Sequence, residues 1–219
     1  MQKKKICQLW EQMQPSSQGV MPYRVWQYLQ GQNVEALVTY RDKYLRDLKL
    51  ASAPDEVPPQ VAFAVRNANE ELINILQLKL EGLLLLANVG KTYTLLDKTS
   101  VAGCAVHFGE PVDELGIAIG VESAMAISIA TGGIPCWASL GPTGMRTLKL
   151  PTQAKLVTIF SDIDPAGRME EAAKDLAQRL GAEGRSVDVR FPPCAALGVT
   201  GAVRWHDAWM EAGSQMLHI

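Results

Sequence analysis

The hydrophobic pattern divides the chain into three stretches with different periods. Residues 1–52 are predicted to be helical, with a break at PSSQG (15–19) and a third helix over 34–48. The apolar residues of the first two helices lie at helical spacing: Ile6, Leu9, Trp10 and Met13 in one, and Val25, Tyr28 and Leu29 in the other. The proline-rich segment ASAPDEVPPQ (51–60) then reads as a connector.

From Val61 onward the period of the pattern changes to two. The segment VAFAVRNANEELINILQLKLEG predicts a strand, a turn at Asn67–Asn69 and a second strand. Polar and apolar residues alternate along that second strand, and LLLLANVGKTYTLL continues as extended chain. We therefore predict a small antiparallel β region over residues 61–112.

Residues 113–219 alternate between strand and helix patterns. The predicted strands are ELGIAI, IPCWAS, AKLVTIF and SVDVRF, and LGPTGM is predicted to be a loop. The predicted helices are VESAMAISIAT, PAGRMEEAAKDLAQRLGAEG and a short helix near 206–212. Strands separated by helices of this length predict an α/β domain with a mostly parallel sheet, flanked by helices through right-handed crossovers.

Composition excludes several classes of protein. The 219 residues are 47% hydrophobic and 20% charged with a net charge of −2, so no overall basic charge indicates nucleic-acid binding. Four widely separated cysteines form no C-x-x-C pair, which argues against a zinc ribbon: Cys7, Cys104, Cys136 and Cys194. The longest apolar run, 83–89, is far shorter than the roughly 20 residues that a membrane helix needs. With no signal-peptide pattern, we expect a cytoplasmic protein with reduced thiols.

The most informative stretch is LVTIFSDIDPAG, in which a buried-looking strand runs directly into Asp162 and Asp164. Ligands of α/β sheets bind outside the carboxyl ends of the strands, and side chains two positions apart in extended chain point the same way. Two adjacent carboxylates repel each other unless a cation lies between them, and Mg²⁺ prefers oxygen ligands. The alternative for Asp164 is a helix N-cap before Pro165, worth about 1 kcal/mol without any metal.

Other candidate residues each carry a structural alternative. Glu122 follows the strand ELGIAI and is a candidate third carboxylate, or simply a first-turn glutamate that the helix dipole favours. Three cations around the third strand are candidate phosphate contacts or ordinary solvated charges: Arg146, Lys149 and Lys155. The segment NVGKT does not make a P-loop, because Leu85 stands where that motif needs glycine. His206 beside Asp207 has no assigned role.

Together these residues resemble the Toprim domain, in particular that of the primases of phages, plasmids and integrative elements. GIAIGVESAMA resembles that branch's I-A-E-G-I-E-T-A signature, and IFSDIDPAG resembles its I-F-A-D-N-D-x-A-G strand and turn. VAGCAVHFGEP is similar to the glycine-rich lead-in, and LWEQMQP and VWQYLQGQ are similar to the upstream helical segment. Asp207 in RWHDAW matches an acidic position of the terminal D-W-N-D motif, where Arg204 replaces the first aspartate. Ile119 stands where the family has its E-G glutamate, and an isoleucine can neither bind metal nor act as a base.

The resemblance implies a DNA primase-type nucleotidyltransferase that takes part in the DNA replication of a mobile element. It would use Mg²⁺ or Mn²⁺ to make RNA primers from nucleoside triphosphates on single-stranded DNA, with a replicative helicase as a partner. Glu122, Asp162 and Asp164 would be catalytic and metal-binding, with Asp207 as an accessory residue. Two alternatives stay open: a Toprim nuclease, and a catalytically degenerate Toprim module that binds nucleic acid or a replication partner, which Ile119 favours.

Overall fold

The chain divides into two compact units, Met1–Val101 and Ala102–Ile219. The computed structural model describes residues 2–15, 48–50, 60–81, 90–97, 100–193 and 201–217. The division falls earlier than the predicted boundary at residue 113, because the strand Ala105–Phe108 pairs with a strand of the second unit. Within these described ranges no helix has the length and apolar character needed to cross a lipid bilayer.

The first unit is an antiparallel sheet with one described helix. Its elements are α1 (Gln2–Gln12), β1 (Gln14–Pro15), β2 (Leu48–Leu50), β3 (Gln60–Arg66), β4 (Leu72–Glu81) and β5 (Gly90–Leu95). Each strand pairs antiparallel with the next one along the chain. Ile6 and Trp10 of α1 pack in one hydrophobic cluster with Ala62, Ala64, Leu72 and Ile75, so the predicted apolar stripe of the first helix covers one face of the sheet.

Two of the predictions for this unit are confirmed and one is wrong. The first helix and the β3–β4 hairpin are present, and Asn67 Oδ1 accepts the N–H groups of Asn69 (2.9 Å) and Glu71 (3.1 Å) in the turn. The helix predicted to end at Leu48 is wrong at that end, because Leu48–Leu50 is a strand whose backbone pairs with β3. The predicted second helix, most of the third, and segments 51–59 and 83–89 lie outside the described residues.

The second unit is the predicted α/β domain. Its elements are β6 (Ala105–Phe108), β7 (Glu114–Ile119), α2 (Val121–Ala130), β8 (Cys136–Ser139), α3 (Gly141–Thr147), β9 (Leu156–Phe160), α4 (Arg168–Ala182), β10 (Ser186–Arg190), α5 (Trp205–Ala212) and a final 3₁₀ turn (Gly213–Leu217). The strand order is β6-β8-β7-β9-β10. β8, β7, β9 and β10 are parallel, and β6 runs antiparallel to β8. The predicted fold class, mostly parallel and flanked by helices, is confirmed.

Helices cover both faces of this sheet. On one face, alternate residues of β7 and β9 pack with α3 and α4 in a cluster that includes Leu115, Ile117, Ile119, Val157, Ile159, Met145, Ala172, Leu176 and Leu180. On the other face, Phe160 meets Trp205 of α5 edge-on, with ring centroids 5.2 Å apart. This alternation leaves the residues that follow β7 and β9 at the carboxyl edge of the sheet, between the two helical layers.

Two local predictions in this unit are wrong. LGPTGM is not a loop, because α3 begins at Gly141, with Pro142 in its first turn where a missing N–H costs nothing, and with Met145 buried. The helix after β9 begins at Arg168 and not at Pro165. Gly167 precedes it with φ of 70°, a left-handed conformation that suits glycine. Asp164 is therefore not the N-cap of that helix.

Candidate functional site

The carboxyl edge of the sheet brings together the turns that follow β7 and β9. Ala118 pairs with Phe160 in the β7–β9 register, so Gly120 and Asp162 lie at the same level just beyond the strands. Gly120 has φ of 78° and turns the chain from β7 into α2, whose first turn carries Glu122. The sequence therefore places Glu122 and Asp162 on neighbouring turns, as expected from the alternation of strand and helix.

Asp162 is a buried carboxylate that caps a helix distant in sequence. Its side chain is only 4% exposed, and its Oδ1 accepts the backbone N–H of Trp205, the first residue of α5, at 3.1 Å. The N–H groups at a helix start have no partner within the helix, so this bond satisfies one of them and places a carboxylate at the positive end of the helix dipole. Asp162 thus has a structural role that needs no metal.

The segment that Asp162 caps is fixed to the same edge by further bonds. Ile163 and Val203 exchange backbone hydrogen bonds of 2.8 and 3.0 Å. The Trp205 indole N–H donates to the Ser161 carbonyl at 3.1 Å. The His206 backbone N–H donates to Ser123 Oγ on α2 at 3.3 Å. The start of α5 therefore bridges the end of β9 and the first turn of α2.

Burial dominates the electrostatics of Asp162. Desolvation raises the pKa of Asp162 from 3.8 to about 7, with smaller upward contributions from the charges of Asp207 and Glu122. The Trp205 N–H and the charge of Arg204 act in the opposite direction. Among the described residues, no hydrogen bond is donated to Asp162 Oδ2. One carboxylate oxygen of a buried group is therefore left without a partner in this part of the chain.

Asp164 lies in a different network from Asp162. Its Oδ2 pairs with Arg168 Nε at 2.8 Å, and its Oδ1 accepts the N–H of Ala166 at 3.2 Å. The hydrogen bond from Arg168 and that from Ala166 hold the pKa of Asp164 below its usual range. The sequence predicted that Asp162 and Asp164 face one site. In the structure, Asp164 is held by a local turn and an ion pair, and it shares no hydrogen-bond partner with Asp162.

Asp207 is held by Arg204, the residue that precedes α5. Arg204 Nη2 and Nε contact the two carboxylate oxygens at 2.8 and 3.1 Å, and the Arg204 backbone N–H also donates to Oδ2 at 3.1 Å. Burial raises the pKa of Asp207, but the hydrogen bonds and charge of Arg204 outweigh it, so this pKa lies below its ordinary value. His206 Nδ1 lies 3.7 Å from Asp207 Oδ1. Asp207 is therefore ionised, and its negative charge is already balanced by Arg204.

The three predicted phosphate contacts do not lie with these acids. Lys155 precedes β9 while Asp162 follows it, so the whole strand separates them. Arg146 is in the last turn of α3, which runs back from the carboxyl edge, and pairs with Asp175 (2.7 Å) and Glu171 (3.4 Å) of α4. Exposed Lys149 follows that helix. Described cations that do lie at the carboxyl edge include Arg168 and Arg204, which the sequence did not single out as phosphate contacts.

Ile119 is part of the hydrophobic core. It is 9% exposed and belongs to the cluster with Ile117, Val157 and the residues of α3 and α4. The last position of β7 therefore supplies packing and no metal ligand. The described carboxylates that the sequence predicted for this edge are Glu122, Asp162, Asp164 and Asp207, and Glu170 also lies there, with both oxygens 3.4 Å from the Asp164 backbone nitrogen.

These oxygens fit a hard divalent cation that keeps part of its water shell. Among the described residues, no group of three or more His, Cys, Asp or Glu side chains is arranged to hold a metal. Mg²⁺ is usually held by one or two carboxylates with waters and substrate phosphates, so a larger protein cage is not required. Asp162, whose Oδ2 accepts no hydrogen bond from the described residues, and Glu122, whose charge acts on Asp162, supply two carboxylates for that requirement. Asp164 and Asp207 are paired with arginines.

Sequence reasoning missed the residues that link α5 to the site. Trp205 meets Asp162 only through the fold, because the two residues are more than forty positions apart in sequence. Ser123 stands beside Glu122 but reads as an ordinary helix residue. The one available signal was RWHDAW, where an arginine stands three positions before an aspartate at a helix start.

A comparison with protein families decides what this domain is. The family description "Toprim domain" matches residues 114–215, which span β7 to the turn after α5. Residues 114–215 form a Toprim domain. The acidic edge described above is therefore the carboxyl edge of a Toprim sheet. No curated protein matches the chain in sequence.

Solved primase structures share this fold. The chain aligns over its whole length with 78% of a DnaG catalytic core, at 16% identity and a TM-score of 0.59. It also aligns over its whole length with 87% of a DnaG primase catalytic domain bound to ssDNA, at 17% identity and a TM-score of 0.55. The primase fragment of the bacteriophage T7 primase-helicase aligns with 78% of this chain and 65% of its own, at 12% identity and a TM-score of 0.51. At these identities the likeness establishes the fold.

Proposed function

We propose that this protein is a DNA primase-type Toprim protein of DNA replication. It joins nucleoside triphosphates into RNA primers on single-stranded DNA and depends on Mg²⁺ or Mn²⁺. It acts in the cytoplasm, in the replication of a mobile element and beside a replicative helicase. The observation that carries the proposal is Asp162, a buried carboxylate at the carboxyl edge of a Toprim sheet whose Oδ2 has no hydrogen-bond partner among the described residues.

Asp162 and Glu122 would hold the metal ion. When bound, the ion neutralises the triphosphate and stabilises the charge that develops in phosphoryl transfer. Asp162 stays oriented by the Trp205 N–H, which fixes Oδ1 and leaves Oδ2 without a hydrogen bond from the described residues. Asp164 joins the site only if it leaves Arg168, whose exposed guanidinium then becomes available to phosphate. We retain Arg146, Lys149 and Lys155 only as contacts to nucleic acid beyond the metal site.

Primer synthesis on single-stranded DNA tests this function. The native protein, with nucleoside triphosphates and Mg²⁺ or Mn²⁺, is expected to give short RNA products, and Asp162→Asn is expected to give none. Asp162→Asn retains an oxygen for the Trp205 N–H, so it separates metal binding from capping. Asp188→Asn is the matched control, since Asp188 is an exposed acid of β10 that pairs with Arg190 at 2.9 Å. Absence of products from the native protein, with a helicase also present, would contradict the proposal.

A module that binds nucleic acid or a replication partner without chemistry is the second candidate. It is favoured by Ile119, which packs in the core where a glutamate would serve catalysis, and by the two arginine–aspartate pairs. It predicts that Ile119→Glu raises metal affinity and that the native protein binds single-stranded DNA without making primers. Tight Mn²⁺ binding by the native protein would argue against it.

A Toprim nuclease would use the same carboxylates to cut a phosphodiester. It predicts nicking of DNA that disappears in Asp162→Asn and persists in Asp188→Asn. Intact DNA after incubation with a large excess of native protein would eliminate this candidate.

A further inference from the structure

Among the described residues, Arg204 is a cation that interacts with Asp207, Glu122 and Asp162. Its guanidinium makes two contacts with Asp207, at 2.8 and 3.1 Å. The charges of Glu122 and Asp162 act on the same guanidinium in addition to that of Asp207. A positive charge therefore already lies among the carboxylates from which a divalent cation would draw its ligands.

The fold holds Arg204 in this place. Its backbone lies between Val203, which pairs with Ile163, and Trp205, which is capped by Asp162. Its own backbone N–H donates to Asp207 Oδ2 at the start of α5. The position of the side chain is thus set by the same segment that fixes Asp162, and substituting the side chain leaves these backbone bonds in place.

We propose that Arg204 is a tethered counter-cation that competes with the divalent metal for the acidic edge formed by Glu122, Asp162 and Asp207. In the metal-free protein it balances the acidic charge and keeps Asp207 from acting as a ligand. When a metal binds Asp162 and Glu122, the two cations repel, and affinity is lower than the carboxylates alone would give. This inference rests on the proposed metal site and adds a residue that sets its affinity.

Mn²⁺ titration followed by electron paramagnetic resonance tests this role without requiring activity. Replacing Arg204 by glutamine removes the positive charge and the two guanidinium contacts with Asp207, and leaves the bond from the backbone N–H to Asp207 Oδ2. We expect Arg204→Gln to bind Mn²⁺ roughly tenfold more tightly than the native protein at low salt. Arg204→Lys retains the charge and is expected to stay close to native affinity. Arg190→Gln, which breaks the exposed pair with Asp188, is the control for net charge and is expected to bind as the native protein does.

The outcomes separate this inference from the proposed function. If Arg204→Gln binds Mn²⁺ as the native protein does, the proposed role of Arg204 is wrong. The same conclusion follows if Arg204→Lys or Arg190→Gln binds Mn²⁺ as tightly as Arg204→Gln. Neither result contradicts the proposed metal site. Absence of Mn²⁺ binding in both native protein and Arg204→Gln would overturn both. Adding Asp162→Asn to Arg204→Gln is expected to abolish the tightening, and its persistence would place the ion elsewhere and overturn the inference. Far-UV circular dichroism confirms that each variant is folded.

Discussion

Asp162 and Asp164 are the same residue type two positions apart, yet they have different partners and opposite pKa shifts. Asp162 is 4% exposed and caps a helix from the far end of the domain. Asp164, whose side chain is 11% exposed, accepts an N–H of its own turn and pairs with the largely exposed side chain of Arg168. Burial raises the pKa of Asp162, whereas the hydrogen bond from Arg168 and that from Ala166 lower the pKa of Asp164. Spacing in the sequence put both acids at the edge, but tertiary partners decide which one is available for chemistry.

The largest expected effect is on how stability depends on pH. The pKa of Asp162 rises from 3.8 to about 7 on folding, so the folded protein binds more protons than the unfolded chain between these values. Stability contributed by this group is therefore full near pH 4 and falls as the pH rises to about 7, by up to about 4 kcal/mol. Asp162→Asn imitates the neutral form, so it should be more stable than the native protein at pH 8 but not at pH 4.

Urea denaturation at pH 4, 6 and 8 measures this difference. Asp188→Asn, which changes an exposed acid, should follow the native protein at every pH. A native protein that becomes more stable from pH 4 to 8 relative to Asp162→Asn would mean that the Asp162 carboxylate is better stabilised when charged. That result would contradict the description of a desolvated acid.

Removing the cap is expected to have a smaller effect. Asp162→Ala leaves the Trp205 N–H without its acceptor in a buried position, while Asp162→Asn retains an oxygen there. The unsatisfied donor should make Asp162→Ala less stable than Asp162→Asn by about 1–3 kcal/mol. Urea denaturation of both variants at pH 8 gives the difference. Equal stability would show that α5 does not depend on this bond.

The smallest effect is expected at Asp164. Asp164→Asn loses the ion pair with Arg168, whose side chain is 68% exposed, but can still accept the Ala166 N–H. Its urea midpoint should shift less than that of Asp162→Ala, because water replaces the lost contact at the exposed arginine. A larger shift than that of Asp162→Ala would reverse the contrast between the two aspartates.

The periodicity of the sequence was sufficient to predict most of the α/β unit. The strands β7 to β10 and the helices α2, α4 and α5 lie where apolar residues recur at the expected spacing. The helix α3 was missed, because Gly141, Pro142 and Gly144 are typical of a loop and only the burial of Met145 against the sheet makes them helical. Leu48–Leu50 was assigned to a helix because pairing with β3 is a tertiary interaction that local spacing does not contain.

The candidate site could be predicted only in part, because local spacing does not contain tertiary contacts. Asp162, Asp164 and Glu122 were located from their positions after strands and at helix starts. The capping of Trp205 by Asp162 depends on α5 returning to the end of β9, whereas the ion pair of Arg204 with Asp207 joins residues three positions apart. Lys155 was assigned to the site because it is close to Asp162 in sequence, but it lies at the other end of β9.

The central claim, that Asp162 is a buried carboxylate able to bind a metal at the edge of the Toprim sheet, is tested most directly by Mn²⁺ titration of three proteins. Electron paramagnetic resonance at pH 8 should show one bound ion in the native protein and in Asp188→Asn, and at least tenfold weaker binding in Asp162→Asn. Equal Mn²⁺ affinity in the native protein and Asp162→Asn, or no bound ion in the native protein, would contradict the account.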